Sequence, residues 1–378
     1  MEEWRMPELP PRAEVGGLVV EELVGAGGYG VVYRARDARS GRCFALKFIS
    51  LEPTAEWGWR ELGALARMGP HHPNVVELWG SGHWREDGHE WLWLKLSFIQ
   101  GKPLDMWGRR DDVDALGLGD KLLGVGRALA VSHAAGVLHR DVKDSNVMIR
   151  DSDGEAVLLD FGAADYPHAP SATRDVFPPG TPAYRSPEAW RHARAHGHQK
   201  GASYRAGVGD DLYAVGVMLY RQLTRRHPFE HEEGEDFVQA VIHRQPLPPR
   251  ILNPRVPRDL AALCMKLLEK TPEARPASAE AFCEELKRLM AGAGDSWRVP
   301  LHASGLEEAG RPAAARPRSM DTATTTRALF PMGRPLPEVL RRAAVVALLV
   351  GGLVLAVGLL AGAWRPGPAP VPLTQGGR

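Results

Sequence analysis

One stretch constrains this chain more than any other. His139-Arg140-Asp141-Val142-Lys143-Asp144-Ser145-Asn146 is followed, fourteen residues after Asn146, by Asp160-Phe161-Gly162. Asp141, Asn146 and Asp160 therefore stand on two short loops. Between them run Val147-Met148-Ile149 and Ala156-Val157-Leu158-Leu159, which are short, apolar and bounded by Asp, Ser and Gly. Such runs predict a buried hairpin. A hairpin of that length returns Asn146 and Asp160 to the same end. An Asp and an Asn offer oxygen ligands suited to Mg²⁺, a hard cation that usually shares its shell with phosphates. A separate Asp141 can orient a hydroxyl and accept its proton. The bland alternative is a coincidental pair of polar loops, and the rest of the chain weighs against it.

The spacing resembles the HRD-x-x-x-x-N catalytic loop and DFG motif of the protein kinase family. Upstream, Gly25-Ala26-Gly27-Gly28-Tyr29-Gly30 with Val32 forms G-x-G-x-x-G-x-V. Glycines let backbone N–H groups approach phosphate oxygens. Dinucleotide-binding folds use a similar pattern, but there the loop opens a helix. Here Val31 to Ala35 continues as a strand, which favours the lid of a kinase.

The resemblance implies the remaining site. Lys47, ending Cys43-Phe44-Ala45-Leu46-Lys47, would reach the α- and β-phosphates of ATP, with Ala45 and Met148 lining the nucleotide pocket. Glu56 to Met68 has helical periodicity; Glu61 is the better partner for Lys47, with Glu56 the fallback. Val75 to Trp79 and Trp91 to Ile99 read as strands. Leu96 would back the nucleotide pocket, with Ser97, Phe98 and Ile99 as the hinge. Asp141 would be the base, Lys143 would stabilise charge on the transferring group, and Asn146 and Asp160 would hold Mg²⁺, with Mn²⁺ also admitted. Asp120 to Ala135 reads as an apolar helix ending at Gly136. Arg140 would answer a phosphorylated activation segment, with Ser171 and Thr173 as acceptors. Thr181 would touch Asp141 and Lys143, an arrangement that suits Ser/Thr rather than Tyr kinases. Gly180 to Glu188 resembles the end of that segment, with Ser186 where Ala is usual. Asp211 would brace the catalytic loop, at the head of the family's buried central helix. Arg275 would pair with Glu188. Residues 189–210 form a longer His- and Arg-rich stretch, read as a basic surface insertion; His192 and His196 alone make a poor metal set.

The expected fold class is α+β: a bilobal kinase fold with a β-rich N-lobe at about 16–100 and a helical C-lobe at about 101–290. Residues 1–15 read as a disordered lead-in without a secretory signal. Residues 291–342 carry eight Arg, no Lys and five acids among Ala, Gly, Pro, Ser and Thr, and read as a flexible linker. Residues 343–363 contain no polar side chain. At 1.5 Å per residue they reach roughly 31 Å, enough to cross a bilayer. A short tail, 364–378, follows. Arg341 and Arg342 place the kinase on the cytoplasmic side of the cell membrane. Gly358-x-x-x-Gly362 would let two spans pack as a homodimer. A net charge of +1 gives no reason to expect nucleic acid. Cys43, Cys264 and Cys283 are too far apart in the chain to suggest a metal or disulfide pattern. The expected partners are thus ATP, proteins bearing Ser or Thr, and the membrane. A membrane-anchored pseudokinase-like scaffold is the alternative; retention of Lys47, Asp141, Asn146 and Asp160 ranks it lower. A small-molecule phosphotransferase is disfavoured by Gly180-Thr181 and Ser186-Pro187-Glu188.

Overall fold

The structure is a computed structural model. It describes residue 9 and residues 12–302, apart from 28–29, 53–54, 70, 87, 170–179, 198–203 and 231. Its smaller lobe begins with β1 (Glu14–Val15), β2 (Leu18–Gly27), β3 (Gly30–Asp37) and β4 (Cys43–Ser50). Helix α1 (Ala55–Arg67) follows, then β5 (Leu78–Glu86) and β6 (His89–Ser97). The sheet is antiparallel in the order β1-β2-β3-β4-β6-β5. In the central strand β4, Phe44, Leu46, Phe48 and Ile49 are buried, so it reads as a nearly continuous apolar run. Its register sets Lys47 opposite Val32 and Leu94, and Ala45 opposite Leu96.

The larger lobe opens with β7 (Gly101–Pro103), α2 (Leu104–Trp107) and α3 (Ala115–Ala134), then the hairpin β8 (Val147–Arg150) and β9 (Ala156–Leu158). Helix α3 starts five residues before the apolar periodicity suggests, because the Asp114 carboxylate accepts from Gly117 N at 2.7 Å. It ends where Gly136 adopts φ +70°. Helices α4 (Pro187–His196), α5 (Val208–Thr224), α6 (Gly234–His243), α7 (Pro249–Leu252), α8 (Arg258–Leu267) and α9 (Ala279–Ala291) complete the lobe. Helix α5 is buried along nearly its whole length and stops at Arg225, which is left-handed at φ +58°. The expected hairpin is present, with Met148 opposite Val157. Leu159 N donates to Asn146 O at 2.8 Å, closing the hairpin and bringing Asp160 beside the Asn146 end.

Further boundaries differ from the sequence reading. Val75 is not part of a strand; it makes a single parallel bridge to Leu158, and β5 begins at Leu78. Residues 14–15 form β1, and Leu9 and Ala13 pack under the sheet. The packed chain also runs past 290: Trp297 and Leu301 are each 2% exposed. Trp297 Nε1 donates to Asp259, Leu301 N to Val113 O, and Asn253 Nδ2 to Leu301 O. A buried indole with a hydrogen-bond partner outweighs the linker-like composition around it. The linker beyond residue 302, the span 343–363 and the tail lie outside the described residues. Among the described residues no helix is long and apolar enough to cross a membrane.

Candidate active site

Two clusters form the site. In the first, Lys47 Nζ donates to Glu61 Oε2 at 2.6 Å and to Asp160 Oδ1 at 2.8 Å. Strand β4, helix α1 and the segment after β9 supply one residue each. Glu61, not Glu56, meets the lysine. Lys47 and Glu61 are buried, and the Asp160 side chain is about a quarter exposed (28%). Burial opposes the charge on Lys47, but Asp160 and Glu61 outweigh it and hold the ammonium above its ordinary value. Burial likewise opposes the charge on Asp160, yet Lys47 draws that carboxyl down to about 2. Burial pushes Glu61 up to about 7, against the pull of Lys47. Lys47 therefore stays cationic and Asp160 anionic, and Glu61 is the member that takes up a proton first.

In the second cluster, Asp141 Oδ1 accepts from Thr181 N at 2.8 Å and from Thr181 Oγ1 at 2.7 Å. Lys143 Nζ donates to Asp141 Oδ2 at 2.7 Å and to Thr181 Oγ1 at 2.9 Å. Asn146 Nδ2 donates to Asp141 O at 2.8 Å and to its Oδ2 at 3.2 Å. Gly180 is required for this closeness: its φ is +137°, and a Cβ there would lie 2.7 Å from Arg140 O.

The loop under Asp141 is braced from α5. Asp211 accepts from His139 N at 2.9 Å and Arg140 N at 2.8 Å, and His133 Nε2 contacts it at 2.9 Å. These partners keep its carboxyl below the ordinary value despite burial. His139 Nε2 contacts Leu159 O at 2.9 Å, and Asp141 N donates to His139 Nδ1. A carbonyl only accepts and an amide N–H only donates, so His139 is the neutral Nε2–H tautomer. Its ring lies 4.6 Å from that of the fully buried Phe161. Asp160 and Arg140 both adopt left-handed φ, +59° and +66°. That conformation is costly for non-glycine residues, and the hydrogen bonds on each hold it.

The donor set at Asp160 and Asn146 fits a divalent ion. Asp160 Oδ1 is occupied by Lys47 and Gly162 N, and the Asn146 amide nitrogen by Asp141. Asp160 Oδ2 and Asn146 Oδ1 remain, a carboxylate and an amide oxygen, and these suit a hard cation. No cluster of three or more His, Cys, Asp or Glu able to hold a metal occurs among the described residues.

The other expected residues are placed as follows. Gly25, Ala26 and Gly27 end β2, and Gly30 (φ +145°) starts β3, where a Cβ would lie 2.1 Å from Phe48 O. Gly28 and Tyr29 lie outside the described residues, as do Ser171 and Thr173. Leu96 is buried; Ser97 N donates to Glu77 O, and Phe98 is half-buried. The Arg140 side chain is 8% exposed and contacts Asp165 at 3.2 Å, while its Nε has no hydrogen-bond partner among the described residues. Arg275 grips Glu188 with two bonds of 2.7 and 2.8 Å.

Several residues escaped the sequence reading. His133 completes the brace on Asp211, and only its place near the end of an apolar helix hinted at it. Asp144, buried inside the loop motif itself, accepts from Tyr184 Oη at 2.6 Å and lies 3.3 Å from Arg221. Ser186 caps α4 and donates to Asp210, whose carboxyl is raised to about 6 by burial and by Glu188. The departure from Ala at Ser186 was the one visible signal. His192 and His196 stack at 4.5 Å on α4.

Comparison with known proteins agrees with this geometry. The chain is 35% identical over 285 residues to the serine/threonine-protein kinase pkn3 of Myxococcus xanthus, covering 71% of this chain and 49% of that one. It is 32% identical over 296 residues to PksC of Streptomyces coelicolor, covering 74% and 50%. It is 30% identical over 330 residues to PknA of Mycobacterium tuberculosis, covering 84% and 70%. The chain thus spans about half the length of the first two relatives. Residues 18–286 match the protein kinase domain, and the chain belongs to the protein kinase family.

Proposed function

We propose that this chain is a membrane-anchored serine/threonine protein kinase that transfers the γ-phosphoryl of ATP to protein hydroxyls. The observation that carries the reading is Lys47 bridging Glu61 and Asp160 at 2.6 and 2.8 Å. In this chemistry the lysine–glutamate pair and the metal-holding aspartate must both be in place. Asp141 orients the acceptor hydroxyl and takes its proton. Lys143, 2.7 Å from Asp141, lies where it can offset charge on the group in transfer. Lys47 holds the α- and β-phosphates, together with the G-x-G-x-x-G motif where β2 ends and β3 begins. Asn146 and Asp160 would hold the divalent ion, Mg²⁺ or Mn²⁺, which supplies neutralisation of the phosphate charge. Thr181, which links Asp141 and Lys143, suits a Ser/Thr acceptor, and 170–179 is the region of autophosphorylation. The names of the relatives point the same way. The span at 343–363 anchors the chain with its kinase on the cytoplasmic face, and Gly358 with Gly362 favours pairing of two copies.

Incubation of the full chain with labelled ATP and Mg²⁺, beside Asp141→Ala, tests the activity. Label on the wild type and a loss of about 10³-fold in the variant are expected; near-normal transfer by Asp141→Ala would end the assignment. The anchor is tested by membrane fractionation. The chain should resist alkaline carbonate and yield to detergent, whereas release by carbonate would remove the span.

A further inference from the structure

Glu61 rides on α1, so the site depends on what holds that helix. We propose that Tyr166 is a positioning residue. Its ring seats against a notch at Gly63 and pins α1, with Glu61, to the chain leading into the catalytic loop. The proposal rests on the kinase reading above.

The notch is steric. A Cβ at Gly63 would lie 2.1 Å from Tyr166 Oη and 2.8 Å from its Cζ. Glycine is a poor helix former, so its place in the middle of α1 has a packing reason. Around the notch, Tyr166 Oη donates to Trp59 O at 3.3 Å, and Arg67 lies 4.7 Å from the Tyr166 ring centroid. Arg67 also donates to Pro167 O, and Arg60 to Ala164 O, each at 3.1 Å. At 3.6 residues per turn, positions 59, 60, 63 and 67 fall within one arc of roughly 100° on α1, and Glu61 stands roughly 150° from the middle of that arc, nearly on the opposite side. Any rotation that withdrew Glu61 from Lys47 would pull that arc off residues 164–167. The far end of the latch is equally fixed. Asp165 exchanges two backbone bonds with Leu138, at 2.8 and 2.9 Å, and Leu138 directly precedes His139. One short segment therefore ties the helix carrying Glu61 to the loop carrying Asp141.

The test uses the full chain with Gly63→Ala, Tyr166→Leu, Tyr166→Phe and the double variant Gly63→Ala/Tyr166→Leu. Two readouts are taken: kcat with KM for ATP, and amide hydrogen exchange across 55–67, with 208–224 as internal reference. Gly63→Ala should lower kcat about tenfold and speed exchange in 55–67 alone. Tyr166→Phe keeps the ring and loses one hydrogen bond, so about threefold is expected. The double variant should recover most of the Gly63→Ala loss, because leucine vacates the space the new methyl needs. A double variant as impaired as Gly63→Ala, or unchanged exchange in 55–67, overturns the latch. The exchange readout needs no catalysis. If exchange responds as expected while the wild type transfers no phosphate, the latch stands and the kinase reading falls.

Discussion

Asp141, Lys143 and Asn146 come from one six-residue stretch joined by Thr181, whereas Lys47, Glu61 and Asp160 come from three segments as much as 113 residues apart. The local cluster is held through its backbone. Asp211 fixes the N–H groups of His139 and Arg140, and Asn146 holds the Asp141 carbonyl, so the loop keeps a backbone brace besides the bonds its Asp141 carboxylate accepts. The distributed cluster is held by its own functional side chains. There the charges that would grip phosphate are also the contacts that join β4, α1 and the segment after β9. Loss of one catalytic group should therefore be mainly chemical in the first cluster, and both chemical and structural in the second.

The largest effect expected is the loss of about 10³-fold in Asp141→Ala, with a melting temperature within about 3 °C of wild type. A clear drop in melting temperature would break the comparison, since it would make the local cluster structural as well. Lys47→Met comes next. Transfer should fall about 10²-fold. Glu61 and Asp160 are left in the interior without their cation, so stability should also fall, by about 2 kcal/mol. The cost is limited because Glu61 can take up a proton. Unchanged stability in Lys47→Met would show that the cluster does not join its three segments.

The smallest and most diagnostic effect is in pH. The Glu61 carboxyl is raised from its ordinary 4.5 to about 7, first by burial. As pH falls through about 7 it loses its charge and its hold on Lys47 weakens, so kcat/KM for ATP should decline severalfold between pH 8 and 6. Asp160, at about 2, stays ionised throughout. Stability runs the other way. A raised folded-state value means that the folded chain holds this proton more tightly than the unfolded one. The Glu61 contribution is then complete below about 4.5 and is lost as pH rises through about 7. Glu61→Gln should remove the acidic decline in kcat/KM and gain stability relative to wild type as pH rises. An acidic decline that survives in Glu61→Gln would assign the titration elsewhere.

The chain's residues and their spacing were enough to read the local cluster. Asp141, Asn146 and Asp160 sit at the ends of one hairpin whose alternation and turn residues are visible in order. The pairing of Glu188 with Arg275 came by family resemblance, and so did Glu61 over Glu56. Other features were hidden. His133 on Asp211 joins residues 78 positions apart, and nothing in the pattern of an apolar helix marks one histidine as a partner. Trp297 and Leu301 looked like linker because their neighbours are Gly, Ser and Arg, yet both are buried against the larger lobe. Asp144 carries no signal of its own in the sequence, because its partners Tyr184 and Gln222 come from distant segments.

Sequence by itself determined which side chains carry charge, where strands turn, and that an acid, an amide and a second acid share one hairpin. Chain connectivity enforces contacts over so few residues whatever the rest of the molecule does. Only the tertiary structure decided that Lys47 also meets Asp160, that Gly63 admits Tyr166, and that His133 joins the brace on Asp211. Those contacts depend on packing between segments distant in the chain, where ångström-scale fit rather than residue type selects the partner.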